Sequence, residues 1–250
     1  MSVAVRLAAH GLRKAYGSVV VTDGVSLEAR SGEALGIIGP NGAGKTTLFH
    51  LLGGSVAADA GRVVLDGADV TREPPHRRCR RGLARTQQIP QPFGDLSVYE
   101  NALVGAGFGR SHGARDAPGR ALHALERAGI AELASRPART LGLLARKRLE
   151  LARALAAEPV VLLLDEVAGG LTEAETAELC EVLDAIRRAG VALVWVEHGV
   201  VSLAGFVDRL LALDRGRVIA VGRPEDVLGD PEVQRTYLGD GTGAGRSAAS

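Results

Sequence analysis

The sequence predicts an α/β fold with a P-loop core. Three observations carry this. Residues 39–47 read Gly-Pro-Asn-Gly-Ala-Gly-Lys-Thr-Thr and fit G-x-x-x-x-G-K-[ST], with Gly39, Gly44, Lys45 and Thr46 at the fixed places. An apolar run at 34–38 leads into this stretch and a helix-like run at 48–52 leads out, which is the strand, loop and helix the pattern needs. Two further runs, 160–164 and 191–196, are almost wholly apolar, like strands buried on both faces of a parallel sheet.

Bulk numbers bound the rest. The chain has 250 residues, 46% of them hydrophobic, enough for one α/β domain with an inserted subdomain. Thirty basic residues against 29 acidic ones leave a net charge of +1, so no global basic field argues for nucleic acid. Aromatics at 3% leave few platforms for stacking single-stranded bases. Cys79 and Cys180 lie far apart, form no metal-like cluster and suit a reducing cytosol as ordinary packing residues. Residues 1–10 are too short and polar for a secretory signal, and no run approaches the length of a membrane span.

Taken in order, residues 3–7 and 19–27 alternate like strands, with Tyr16-Gly17 at the turn between them. Residues 62–65 make a short strand before the turn Asp66-Gly67. The basic patch 76–81 reads as a solvated helix face. Residues 89–94, rich in Pro and Gly, form a loop; 98–104 are helical; 105–119 are glycine-rich and polar, as in a mobile surface loop. Helices follow at 120–128 and 144–158, the second with Leu144, Leu151 and Leu155 on one stripe. Residues 91–158 thus form a largely helical insertion. A long helix covers 172–188, a late hairpin pairs 210–213 with 217–221, and 239–250 has the composition of a disordered tail. There is no internal repeat.

The loop's chemistry follows from its residues. Glycines let successive N–H groups converge on one anion, and the helix behind adds its positive end. Gly39, Asn41, Gly42, Ala43, Gly44, Lys45, Thr46 and Thr47 are the candidates to hold a nucleotide's phosphates. Lys45 would reach the β- and γ-phosphates and the Thr46 hydroxyl would ligate Mg²⁺. The chain has three lysines among its 30 basic residues, yet keeps one here, where a compact ammonium fits and a planar guanidinium would not.

Other candidates lie at strand ends. Asp165 closes the run 160–164, where a strand-end acid next to the phosphate loop of a neighbouring strand would hold Mg²⁺ through water. Glu166 follows, placed to polarise an attacking water. Glu197-His198 closes the next strand, and His198 would donate to a γ-phosphate; the alternative is a surface histidine. Gln88 would ligate Mg²⁺ and sense the γ-phosphate, or is a polar loop residue. Tyr16 would stack on an adenine, or packs in the hairpin.

In this order the parts resemble the nucleotide-binding subunits of ABC transporters, over residues 7–239. The resemblance is strongest to the ATP-binding subunits of branched-chain amino acid importers. It is carried by 39–49, by Arg85-Thr-Gln-Gln-Ile-Pro-Gln-Pro-Phe-Gly-Asp-Leu-Ser-Val-Tyr-Glu-Asn101, by 148–155, by Asp165-Glu166 with Gly169-Gly-Leu171, by Glu197-His198 and by 230–239. It implies an ABC-type nucleotide-binding domain at 1–240, with a core of 1–90 and 159–240 around a helical subdomain at 91–158, antiparallel strands at its N-terminus and a tail at 241–250. It implies ATP and Mg²⁺ as cofactors, Tyr16 on the adenine, Gln88 in the loop that meets the membrane partner, Glu166 as catalytic base and His198 as γ-phosphate switch. Two such domains would close head to tail over two ATP molecules. The partners implied are permease subunits, a second ATPase or a second copy, and a solute-binding protein acting through the permease. The place implied is the cytoplasmic face of the cell membrane.

Three departures stand out. Where the family has Leu-Ser-Gly-Gly-Gln, this chain has Leu141, Gly142, Leu143, Leu144 and Ala145. Val167 replaces the proline after the catalytic glutamate, and Thr172 replaces an aspartate of the dimer-contact loop. The altered signature bears on the site offered in trans. A transport ATPase powering uptake of a small solute is the first expectation. Lipopolysaccharide export is the second, and a non-membrane ABC-type ATPase on ribosomes or DNA the third.

Overall fold

The computed structural model describes residues 4–87, 89–110, 116–197 and 203–238. Strands β1 (Val5–Tyr16), β2 (Val19–Arg30), β4 (Ala60–Leu65) and β5 (Ala68–Asp69) form an antiparallel sheet in the order β2-β1-β4-β5. A second sheet holds β3 (Ala34–Ile38), β6 (Leu83–Arg85), β7 (Val161–Asp165), β8 (Ala192–Val196), β9 (Arg209–Asp214) and β10 (Arg217–Gly222). Its order is β10-β9-β3-β8-β7-β6, parallel except for β10, which returns antiparallel on β9.

Every residue of β3, β7 and β8 is buried, because both faces of the second sheet are covered. Val161 and Leu163 point to the layer of the antiparallel sheet and helix α1 (Lys45–Gly53). Leu162 and Leu164 point to the layer of α3 (Val98–Phe108), α4 (Ala117–Arg127), α5 (Leu143–Ala156) and α6 (Glu173–Arg188). Each such leucine stabilises the fold by roughly 1.5–3 kcal/mol, which is why these runs are apolar throughout. Capping boxes start two of the helices: Ser97 with Glu100 on α3, and Thr172 with Glu175 on α6. Gly105 and Gly109 at the end of α3 lie so close to Arg153 and Ala157 that a Cβ on either would strike that backbone.

The structure corrects several expectations. β1 reaches Tyr16, because bulges near Gly11, at φ +61°, keep an irregular stretch in the sheet. The basic patch is helix α2 (Pro75–Arg80), but it is not wholly solvated. Arg78 is 2% exposed and donates to the carbonyls of Leu51 and Leu52 at 2.7 and 2.6 Å, closing the end of α1. Its other nitrogens reach the carbonyls of Glu73 and Thr71. Of the expected loop at 105–119, the first four residues extend α3 and 117–119 begin α4, while 111–115 lie outside the described residues. β7 is not the neighbour of β3, since β8 lies between them. Two helices, α7 (Pro224–Gly229) and α8 (Pro231–Leu238), follow β10, each opening on a proline, which suits a first helical position. The expected tail lies outside the described residues. No helix among the described residues is long and apolar enough to cross a membrane.

Candidate functional site

β3 ends at Ile38 and delivers the chain into a turn whose shape only glycine permits. A Cβ on Gly39 would approach the Leu213 carbonyl to 2.6 Å, and one on Gly44, at φ +98°, would strike the Val21 carbonyl. Gly44 is also the N-cap of α1 and carries no side chain to occupy the helix end, so the first N–H groups of α1 remain for an outside anion. The Gly216 amide donates to the Ala43 carbonyl at 3.0 Å and ties the loop to the β9–β10 turn.

Lys45 begins α1 and is 5% exposed. Its ammonium donates to the carbonyls of Gly39 and, at 3.0 Å, of Pro40. Burial lowers its pKa, and the negative charge of Glu166 pulls it partly back up. A cavity of about 360 Å³ opens at this point. Asn41, Gly42, Ala43, Gly44, Lys45, Thr46 and Thr47 line it, with Val21 and Pro40 beside them and Glu166 across from them. Seven of the eight loop residues named from the sequence, all but Gly39, thus line one space together with Glu166.

Glu166 adopts a left-handed φ of +47°, uncommon for a residue with a side chain. Its amide donates to the Val196 carbonyl at 2.9 Å, and its own carbonyl accepts from the Gly169 amide at 3.2 Å and from Lys147 Nζ at 3.5 Å. Burial lowers the Lys147 pKa, opposed by the charges of Glu197 and Glu166. Glu197 is buried at the end of β8, where its Oε1 accepts from the Ala168 amide at 2.9 Å and from Trp195 Nε1 at 3.1 Å. Thr172, one of the departures from the family pattern, is the N-cap of α6, and Val167, another, is buried in the core.

Other candidates fall elsewhere. Gly39 gives its carbonyl to Lys45 but is not on the cavity wall. Asp165 is buried and paired with Arg85 at 2.6 Å. Tyr16 is 51% exposed at the hairpin end, outside the cavity lining, with the Lys14 ammonium 5.5 Å from its ring centroid. Gln88 and His198 lie outside the described residues. Gly142 is the N-cap of α5 and offers no side-chain cap. Leu143, Leu144 and Ala145 form the first turn of α5, away from the cavity lining. Leu143 abuts Gly170 of the loop that follows Glu166. Sequence reasoning missed Arg85; the signal was an arginine ending the strand that precedes Gln88, because a buried acid such as Asp165 calls for a nearby cation.

The cradle fits a nucleotide's phosphates: two glycines with no room for a Cβ, a helix start without a side-chain cap, and a buried lysine. The Thr46 hydroxyl beside them fits Mg²⁺, which takes one or two protein oxygens and completes its shell with phosphate and water. Among the described residues there is no cluster of three His, Cys, Asp or Glu that would hold a metal alone.

The profile of the ABC transporter family matches residues 22–169, and that of the branched-chain amino acid ATP-binding cassette transporter matches 217–242. The lipopolysaccharide export system ATP-binding protein LptB of Escherichia coli strain K12 is 36% identical, over 94% of this chain and 97% of LptB. The high-affinity branched-chain amino acid transport ATP-binding protein LivG of Salmonella typhimurium is 35% identical, over 94% of this chain and 98% of LivG. A crystal structure of the ADP conformation of an ATP-binding cassette of an ABC transporter superposes with a TM-score of 0.87 at 28% identity, covering 94% of this chain and 99% of that one.

Proposed function

The chain belongs to the ABC transporter family of ATP-binding proteins, and from that premise we propose that it is the ATPase subunit of an importer for branched-chain amino acids or a related small solute. ATP is its nucleotide, and subunits of this family dimerise and work with membrane permeases. The observation that carries the importer reading is the match of the branched-chain amino acid transporter profile to 217–242, the stretch of β10, α7 and α8. The likeness to LivG supports it.

In this reading the loop amides and Lys45 bind and orient the phosphates. Thr46 and Asp165 stand on the metal side, and Glu166 takes the proton of the attacking water. Bound Mg²⁺ would neutralise charge on the phosphate oxygens. Gln88 and His198 complete the γ-phosphate side, and Tyr16 covers the adenine. Two subunits close head to tail, each offering its α5 start to the other's nucleotide, on the inner face of the membrane. The domain limits are those the sequence predicts, with 91–158 as the helical subdomain. The permease docks on 88–100, where Pro90, Pro92 and the half-exposed Phe93 give a stiff loop with an apolar knob.

The second reading, lipopolysaccharide export, is favoured by the LptB likeness. Reconstitution separates the two. Stimulation of ATP hydrolysis by an importer permease with its binding protein, and crosslinks from that permease to 88–100, are expected. Stimulation by a lipopolysaccharide-export permease alone would overturn the importer reading, and crosslinks confined to the β9–β10 hairpin would overturn docking on 88–100.

A further inference from the structure

Arg85 ends β6, and its side chain reaches the carboxylate that closes β7. Its Nη2 donates to Asp165 Oδ2 at 2.6 Å, with the Asp165 side chain only 9% exposed. The guanidinium carbon lies 5.8 Å from the centroid of the Phe49 ring on α1, the helix that follows the phosphate loop. Its Nε is buried without a hydrogen-bond partner among the described residues. Arg85 also lines a second cavity, of about 360 Å³, whose walls include Phe108, Glu150 and Arg153. That cavity shares no lining residue with the one at the phosphate loop.

A guanidinium this close neutralises much of the carboxylate and repels any further cation by Coulomb's law. Mg²⁺ also needs an oxygen whose lone pairs are not already committed. The second cavity gives the guanidinium room to swing off the acid; Glu150 on its wall already pairs with Arg153 through Oε1 at 2.7 Å, so an arginine moving there would share that carboxylate. We propose that Arg85 is a positioning residue that competes with Mg²⁺ for Asp165: it holds the carboxylate in place, weakens metal binding at that acid, and yields when the metal side of the nucleotide site fills. This inference rests on the nucleotide and metal reading above.

The test is an equilibrium titration without turnover. A fluorescent, non-hydrolysable ATP analogue is bound to the full chain, and free Mg²⁺ is raised while the metal-dependent fluorescence change is followed. Arg85→Met is expected to lower the half-saturating Mg²⁺ concentration by about threefold to tenfold, because one unit of opposing charge is gone. Arg85→Lys, which keeps the charge, is expected to stay within about twofold of the unaltered protein. Binding of the analogue in excess chelator is expected to be the same in all three, which also reports that the variants fold. If Arg85→Met does not fold, Arg85→Gln, neutral and still able to donate to Asp165, carries the same expectation. An unchanged or raised Mg²⁺ requirement in the neutral variant would overturn the proposal. Failure of the unaltered protein to bind the analogue would instead overturn the nucleotide reading.

Discussion

The Lys45 ammonium rests on the Pro40 carbonyl at 3.0 Å, so the loop's own backbone holds its lysine at the cavity wall. The side chain is therefore ordered by the loop before any phosphate contact, which reduces the entropy lost on binding. Lys45→Ala removes that cation and is expected to abolish tight ATP binding, a loss of at least about tenfold for a charged hydrogen-bond donor. A fluorescent ATP analogue reads it directly, and unchanged affinity would sink the assignment of the loop.

Glu166→Gln is expected to keep ATP binding and lower turnover by about a hundredfold or more, the scale of a lost general base. The substitution leaves the backbone alone, because hydrogen bonds to Val196 and Gly169 fix the left-handed conformation. The variant should accumulate as an ATP-bound dimer in size-exclusion chromatography. Turnover equal to the unaltered protein would remove Glu166 from the role of base.

The start of α5 predicts asymmetry. Gly142 offers no hydroxyl, and Leu144 stands where a glycine would let the backbone come close to a partner's γ-phosphate. Lys147 is buried with its ammonium at the Glu166 carbonyl and is poorly placed to replace the lost contacts. Arg146 is exposed and commits its Nε to the Leu141 carbonyl at 2.8 Å, which leaves its terminal nitrogens as the rival source of positive charge. Alone, the protein is expected to hydrolyse ATP slowly. Paired with an ATPase bearing Leu-Ser-Gly-Gly-Gln, it should form one strong site from its own Lys45 and Glu166. ATPase rates of the assembled transporter, with the catalytic glutamate changed in each subunit in turn, decide the matter: the loss should be larger here, and equal losses would defeat the idea.

Arg78→Met is expected to lower stability by about 2–4 kcal/mol, seen as a fall in Tm. Four carbonyls, including two at the end of α1, lose a charged donor and gain no water. A Tm within a degree of the unaltered protein would show that α1 closes without this side chain.

The phosphate loop could be read directly because its chemistry is local: a few glycines, a lysine and a hydroxyl at fixed spacing need no distant partner. Runs such as Val161–Asp165 were legible for a related reason, since burial on both faces leaves no polar alternation. Sheet order was not. Nothing in the residues of β7 states that β8 will intervene before β3, and Asp165 was placed one strand too near the loop. Arg78 and Arg85 were missed likewise. A run of arginines looks solvated until the fold brings helix-end carbonyls or a buried carboxylate against one of them. Leu83–Arg85 is too short to show a strand period at all.

The close approach of α3 to α5 bears on how force would cross the molecule. With no Cβ at Gly105 or Gly109, backbone lies against backbone at Arg153 and Ala157, and no flexible side chain cushions the contact. The two helices cannot be pressed nearer, and a push on α3 meets α5 without slack. α5 ends at Ala156, and the chain enters β7 at Val161 before reaching Glu166. A thrust on α3 would thus meet α5 first and reach the strand that carries Asp165 through residues 157–160.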